Sequence, residues 1–105
     1  MHFLVSGKIR KPREVTSQEF YRVWQQESIA GRELEQAGQP IFKVAGEYEI
    51  VLIIEVEKPA DLDAALHRLP IWTEGYQDMI EVTAKALVPY GEWGRQLDRL
   101  TESRE

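Results

Sequence analysis

An α+β domain with the element order β-α-β-β-α-β is what this sequence predicts, and three observations lead to it. Residues 2–9 alternate in polarity as a strand with one covered face does. Residues 17–37 repeat their apolar positions with a helical period. Residues 50–54, Ile-Val-Leu-Ile-Ile, are mostly β-branched and apolar on both faces, as in a strand covered on both sides.

In the first strand Phe3, Val5 and Ile9 share one face and His2, Leu4, Ser6 and Lys8 the other. Gly7 marks a point where another group can approach the backbone. Pro12, with no N–H to donate, ends the strand. Thr16-Ser17-Gln18-Glu19 has the form of a capping box, in which a hydroxyl and a carboxylate satisfy the free amides of a helix start. The helix that begins near Ser17 carries Phe20, Val23, Trp24, Ala30 and Leu34 on one stripe, and Gly38 followed by Pro40 stops it.

Residues 41–45 read as a short second strand, which Gly46 turns into a third over residues 48–56 to make a hairpin. Lys58-Pro59-Ala60-Asp61 opens a shorter helix carrying Leu62, Ala65, Leu66 and Leu69, closed by Pro70, and residues 71–77 follow as a loop. In the last strand, residues 79–88, Ile80, Val82, Ala84, Ala86 and Val88 alternate with Glu81, Thr83, Lys85 and Leu87. Alternation alone leaves open whether Glu81 is an exposed strand residue or an inward-facing acid. Past Pro89-Tyr90-Gly91, Trp93, Leu97 and Leu100 recur at helical spacing, so the tail is expected to dock on its own subunit or a neighbour, with residues 101–105 frayed. The division is therefore one domain over residues 1–90 and an amphipathic tail over residues 91–105.

Two helices cover a four-stranded sheet on one side only, which is the ferredoxin-like arrangement. An apolar sheet face left bare invites aggregation, so a second copy is expected to cover it and to enclose a small-molecule chamber between the two sheets.

Composition narrows the function. With 105 residues, 43% of them hydrophobic, the chain supports one core. A net charge of −5 opposes nucleic-acid binding, which needs concentrated Lys and Arg. The basic stretch from Lys8 to Arg13 reads as a solvated strand end and loop, with steering of an anionic substrate as the alternative. No segment approaches the roughly 20 apolar residues that cross a bilayer, and the N-terminus runs into a strand without the features of a secretory signal. The absence of cysteine removes disulfides, a thiolate nucleophile and Cys-based zinc sites, and fits a reducing cytoplasm. His67 has no companion at metal-ligand spacing and reads as a surface residue, while His2 reads as structural. No G-x-S-x-G motif and no glycine-rich phosphate loop is present, so hydrolase triads and nucleotide enzymes are not expected.

Gly46-Glu47-Tyr48 leading into the apolar strand, Leu69-Pro70 with the aromatic loop after it, and Ile80-Glu81-Val82-Thr83 stand in an order that resembles the muconolactone delta-isomerase family. The opening Phe3-Leu4-Val5 and the helix end from Glu33-Leu34 to Gly38 are similar too, so the likeness spans residues 1–88. The resemblance implies a ferredoxin-like dimeric α+β barrel that builds larger homo-oligomers. It also implies proton movement along an unsaturated lactone of aromatic catabolism, without metal or organic cofactor. On the same basis Glu27 matches a family glutamate expected to transfer the proton, and a buried Glu suits that task because its pKa can rise toward neutrality. Lys43 falls at a basic position of the family, where it would hold a substrate carboxylate or stabilise an enolate. Trp24 stands where typical members have a lysine, the loop after Pro70 is longer, and a basic C-terminal end is replaced by residues 90–105. The pocket is accordingly expected to be more aromatic, with Trp24, Tyr48 and Trp72 as substrate-binding residues.

Each candidate also has a plainer explanation. Glu27 beside Gln25 and Gln26 suits a solvated helix face, Lys43 a surface strand position, and the aromatics a core or an interface. Two other functions fit the same scaffold: a cofactor-independent monooxygenase acting on an electron-rich aromatic, and a non-catalytic accessory protein that binds a small ligand.

Overall fold

In the computed structural model, which describes residues 1–102, β1 (His2–Ile9) lies in the middle of a four-stranded antiparallel sheet. It is flanked by β3 (Glu49–Glu55) and β4 (Ile80–Leu87), and the short β2 (Ile41–Lys43) pairs with the far side of β3, giving the order β2-β3-β1-β4. Between β1 and β2 runs α1 (Ser17–Gln36). Between β3 and β4 run α2 (Pro59–His67) and the four-residue α3 (Pro70–Thr73). The chain closes with α4 (Tyr90–Glu102), after β4. The result is a mixed α+β fold.

The register separates the two sheet faces, because residues directly opposite across a ladder share a face. Phe3 pairs with Ile54 and Ala86, Val5 with Leu52 and Ala84, and Gly7 with Ile50 and Val82. This is the helix-covered face, where Phe3, Val5 and Ile9 are buried. At Gly7 an added Cβ would lie 2.9 Å from the Ile80 Cδ1 atom, so the close neighbour expected at this glycine is a side chain of β4. The other face carries His2, Leu4, Ser6 and Lys8 beside Glu49, Val51 and Ile53. Polar pairs cross it: His2 Nε2 lies 2.8 Å from the Glu55 carboxylate, and the Ser6 hydroxyl donates to Glu49. Val51 and Ile53 therefore sit among charges, and this open face is mixed rather than bare and apolar.

Two buried clusters hold the helices down. Ile9, Phe20, Val23, Ile71 and Met79 pack beneath α1 and α3, whereas Phe3, Val5 and Leu62 pack beneath α2.

Local chemistry explains most element ends. The Thr16 hydroxyl accepts from the Glu19 N–H at 3.1 Å, as a capping residue does. The expected box is only half formed, since the Glu19 carboxylate accepts from the Tyr76 hydroxyl at 2.9 Å and so ties α1 to the segment after α3. Thr16→Ala is expected to cost about 1 kcal/mol, read as a lower urea midpoint with an unchanged slope. At the other end of α1, Gly38 takes φ +91°, and the Gln39 N–H donates to the Leu34 carbonyl at 3.0 Å. This left-handed cap strains any residue with a Cβ.

Two expectations need correction and a third is narrowed. The second strand is shorter than residues 41–45, because the Val44 N–H already closes the turn onto the Glu49 carbonyl at 2.8 Å. Residues 71–77 are not a plain loop: α3 begins at Pro70, and a 3-10 turn spans Gln77–Met79. Pro70 lacks an N–H and has φ preset for a first helical position, so it starts α3 as well as following α2. The Leu69 carbonyl then accepts from both Trp72 and Thr73, at 3.0 and 3.1 Å. Finally, of the two docking places expected for the tail, the described residues do not use their own subunit, which leaves a neighbour. No residue of α4 is buried, with Trp93 at 45% and Leu97 at 42% exposure, and the long axis of the chain reaches 64 Å against 24 and 22 Å for the others. Thr101 and Glu102 continue α4, while the rest of the segment expected to fray lies outside the described residues.

Candidate functional site

Because α1 roofs one buried cluster and α2 the other, a groove is left between them over the middle of the covered face. It forms a half-open cavity of about 540 Å³. Val5, Gly7, Leu52 and Val82 contribute from the sheet, while Ala65 and Leu66 contribute from α2. On the α1 side stand Trp24, Glu27 and Gly31, spaced three and four residues apart so that they share one helical face. Trp72 of α3 and Lys43 of β2 complete the set drawn from the candidate list.

Glu27 is half-buried, and its Oε2 accepts from the Ile71 N–H at 2.9 Å. Among the described residues this is the hydrogen bond that fixes the carboxylate, leaving Oε1 for other partners. Burial raises the pKa of Glu27 above the ordinary carboxylate value; the Ile71 N–H favours the charged form and opposes the rise, and the nearby charge of Glu74 adds to it.

A folded-state pKa above the unfolded one means that the native state holds more protons in the window between them, so stability falls as pH rises through that window. Glu27→Gln keeps a carbonyl oxygen to accept from Ile71 and removes the titration. The variant is expected to show no such decline and to match or exceed the wild type in stability at neutral pH. Urea unfolding in steps across pH 4 to 8 reads the difference.

Lys43 pairs with Ile50, which puts it on the same sheet face as the cavity. It is exposed at the mouth, donates to the Val44 carbonyl at 3.0 Å, and sits 6.0 Å from the centre of the Tyr48 ring. Tyr48 itself does not line the cavity. Its ring packs edge-on behind Trp24 with centroids 5.0 Å apart, and its hydroxyl is 2.6 Å from that of Tyr21, which raises the Tyr48 pKa. Tyr48 therefore stands against Trp24 and outside the cavity lining.

The chamber expected between two sheets is not where the candidate acid lies. A shallow depression of about 350 Å³ does occur on the open face, among Ser6, Lys8, Glu49 and Lys85, but none of the five candidate residues lines it. The reason is positional, since α1 packs on the opposite face and carries Trp24 and Glu27 with it. Glu81, whose orientation alternation left open, pairs with Lys8 and belongs to the open face.

Several lining residues are not among those that the sequence predicts for the site. Ala65 and Leu66 carried a signal, their place on the apolar stripe of α2, but that stripe suited core packing equally well. Arg68, one turn beyond Ala65 at the rim, had no such signal. Arg32 is also at the rim, with its guanidinium donating to the Ser28 carbonyl and hydroxyl at 3.2 and 3.3 Å.

Among the described residues no group of three or more His, Cys, Asp or Glu stands close enough to hold a metal ion, and no helix is long and apolar enough to cross a membrane. The cavity therefore offers an apolar bed with one half-buried acid and aromatic walls.

Comparison with known proteins agrees with the sequence resemblance. A family model for muconolactone delta-isomerase matches residues 1–92, a span that holds all four strands and the helices that bound the cavity. Among solved structures, a crystal structure of muconolactone isomerase aligns with a TM-score of 0.68 at 18% sequence identity, over 85% of this chain and 90% of that one. No curated protein matches. The shared fold and the match across most of the sequence lead to one conclusion: the chain belongs to the muconolactone delta-isomerase family.

Proposed function

We propose that the protein is an isomerase that moves a proton within an unsaturated lactone or related cyclic carbonyl compound, with Glu27 as the group that takes and returns it. The observation that carries this is a half-buried carboxylate, one oxygen held by a backbone N–H, that lines a mostly apolar cavity. Such an acid, pinned and raised in pKa, suits both halves of a proton shuttle.

In the proposed reaction Glu27 Oε1 accepts a proton from the carbon next to the carbonyl. The electrons of that C–H bond pass into the conjugated system, and the carbonyl oxygen takes up the negative charge. Lys43 supplies positive charge on the same side of the sheet. Glu27 then returns the proton to a carbon farther along, so the double bond has moved and no atom is gained or lost. Trp24 and Trp72 give flat faces for the ring.

The strand order reads as ferredoxin-like, and the open sheet face is proposed to meet that of a second copy. Lys8 and Lys85 stand there with Glu49 and Glu81, a mixture of signs that a two-fold axis can set against itself. The tail over residues 91–105 is proposed to be an appendage outside the catalytic domain.

Solvent deuterium exchange into α-angelica lactone, followed by proton NMR, tests the reaction. Enzyme-dependent loss of the exchangeable ring proton signal, absent with Glu27→Gln, supports it. No exchange, or exchange that Glu27→Gln leaves intact, rejects it. Turnover that consumes oxygen would instead assign the site to the monooxygenase class.

A further inference from the structure

We infer that this cavity takes hydrophobic ligands of two or three fused rings that carry an enolisable carbonyl, in preference to single-ring lactones. The carbonyl requirement rests on the proton transfer proposed above, whereas the ring count rests on the cavity alone.

The volume is the first observation. About 540 Å³ lies in the range of roughly 300–1,000 Å³ that accommodates drug-sized ligands. A single five-membered lactone leaves most of it unfilled. The surface around that space includes Val5, Leu52, Leu66 and Val82, which offer no polar side-chain atoms. Water left against this apolar bed would find few partners there, since the charged lining residues Arg32, Glu33, Glu35, Lys43 and Arg68 are exposed, and a poorly filled bed forfeits dispersion contacts. A larger apolar ligand avoids both penalties.

Gly31 is the second observation. It occupies the interior of α1, where glycine costs about 1 kcal/mol relative to alanine. Packing does not demand it: its backbone is not left-handed, and an added Cβ would meet only Ile41 Cδ1, at an ordinary contact distance of 3.5 Å. A side chain would fit at this position, and its omission keeps the α1 wall of the cavity open. Ala65 leaves the α2 wall similarly low.

Third, the lining includes two indole rings, Trp24 and Trp72, flat surfaces whose natural complement is an extended planar ring system. The half-buried acid Glu27 stands on the same wall as Trp24, so a carbonyl-bearing ring can lie against both.

The test is a binding series read by tryptophan fluorescence in a Trp93→Phe background, which removes the exposed indole of α4. α-Angelica lactone, 2-tetralone and anthrone present one, two and three rings. Affinity is expected to rise at least tenfold from one ring to two and to rise again with three. Gly31→Leu and Ala65→Leu, from opposite walls and both favourable to helix, are each expected to weaken anthrone binding at least tenfold, and at least fivefold more than they weaken lactone binding. The pair guards against one variant failing to fold.

Equal affinity across the series, or equal loss of one-ring and three-ring ligands in both variants, overturns the inference. Ring-independent binding that weakens as protein concentration rises would also overturn it, by showing that α4 of a second copy occupies the groove. If Glu27→Gln retains proton exchange while the ring preference holds, the proposed reaction falls and the ring count stands; the reverse pattern rejects the ring count alone.

Discussion

Replacing Glu27 with Gln is expected to lower kcat/KM for proton transfer by roughly 10²–10⁴-fold, the contribution of a positioned general base, while ligand affinity changes less than about twofold. The substitution isolates the chemistry because so little else differs. Glutamine has nearly the same volume, and its carbonyl oxygen can still accept from the Ile71 N–H that the Glu27 carboxylate holds at 2.9 Å. The link between α1 and α3 therefore persists, and what disappears is the ability to take a proton.

Two further readouts separate a catalytic carboxylate from one that merely tethers α3. If Glu27 is the base, kcat/KM rises with pH through its pKa, which burial has moved above the usual carboxylate range, and the residual rate of Glu27→Gln shows no such rise. Glu27→Asp retains the acid but withdraws it by one methylene from both Ile71 and the cavity. Its activity is expected to fall between those of the wild type and the glutamine variant. Activity of Glu27→Gln within tenfold of wild type would leave Glu27 as a structural tie between the helices.

How much of this was legible before the structure depended on whether the signal was local. The alternation in β1 gave its covered face correctly, because a period of two on a half-buried strand admits only one partition of Phe3, Val5 and Ile9 from Leu4, Ser6 and Lys8. Gly38 and Thr16 gave the ends of α1 for equally local reasons. Pro70 is ambiguous by nature: the ring that prevents a helix from continuing also suits the first turn of the next, so the sequence predicts a loop where α3 forms. Within residues 50–54 the outer face of β3 reads as apolar, yet Glu49 at its own start, Lys8 of β1 and Lys85 of β4 make the assembled face mixed.

The site followed the same division. Trp24 and Glu27 are three residues apart on one helix, so their shared face was implicit in the spacing. Trp72 joins them only because α3 packs on α1, and Arg68 and Ala65 only because α2 stops short of α1, a gap that no local pattern encodes. Tyr48 shows the limit most clearly. Its place just before β3 was readable, but the hydroxyl of Tyr21, 27 residues earlier, turns it away from the cavity.

Phe20→Ala carries the largest expected cost in stability, about 3–5 kcal/mol, the range for removing a large aromatic from a core. Phe20 is 2% exposed, the largest of the fully buried side chains, and belongs to the cluster with Ile71 and Met79 that holds α1 and α3 onto the sheet. Neighbouring residues cannot easily collapse into the space, because three aromatic rings surround it, Tyr21, Trp24 and Tyr48, with centroids 5.3 to 6.0 Å away. For a domain whose whole stability is about 5–15 kcal/mol, that loss leaves little margin, and the melting temperature is expected to fall by roughly 15–30 °C. The functional consequence can be separated from unfolding with Phe20→Leu, which keeps an apolar side chain but removes the ring that Trp24 meets edge-on. That variant is expected to remain folded and to raise KM more than it lowers kcat, since Trp24 lines the cavity and does not itself move the proton. Urea unfolding measures the first effect and steady-state kinetics the second. A cost below about 1 kcal/mol for Phe20→Ala, far under that core range, would show that α1 is held by contacts other than this cluster, and with it the position of Glu27 would need a different explanation.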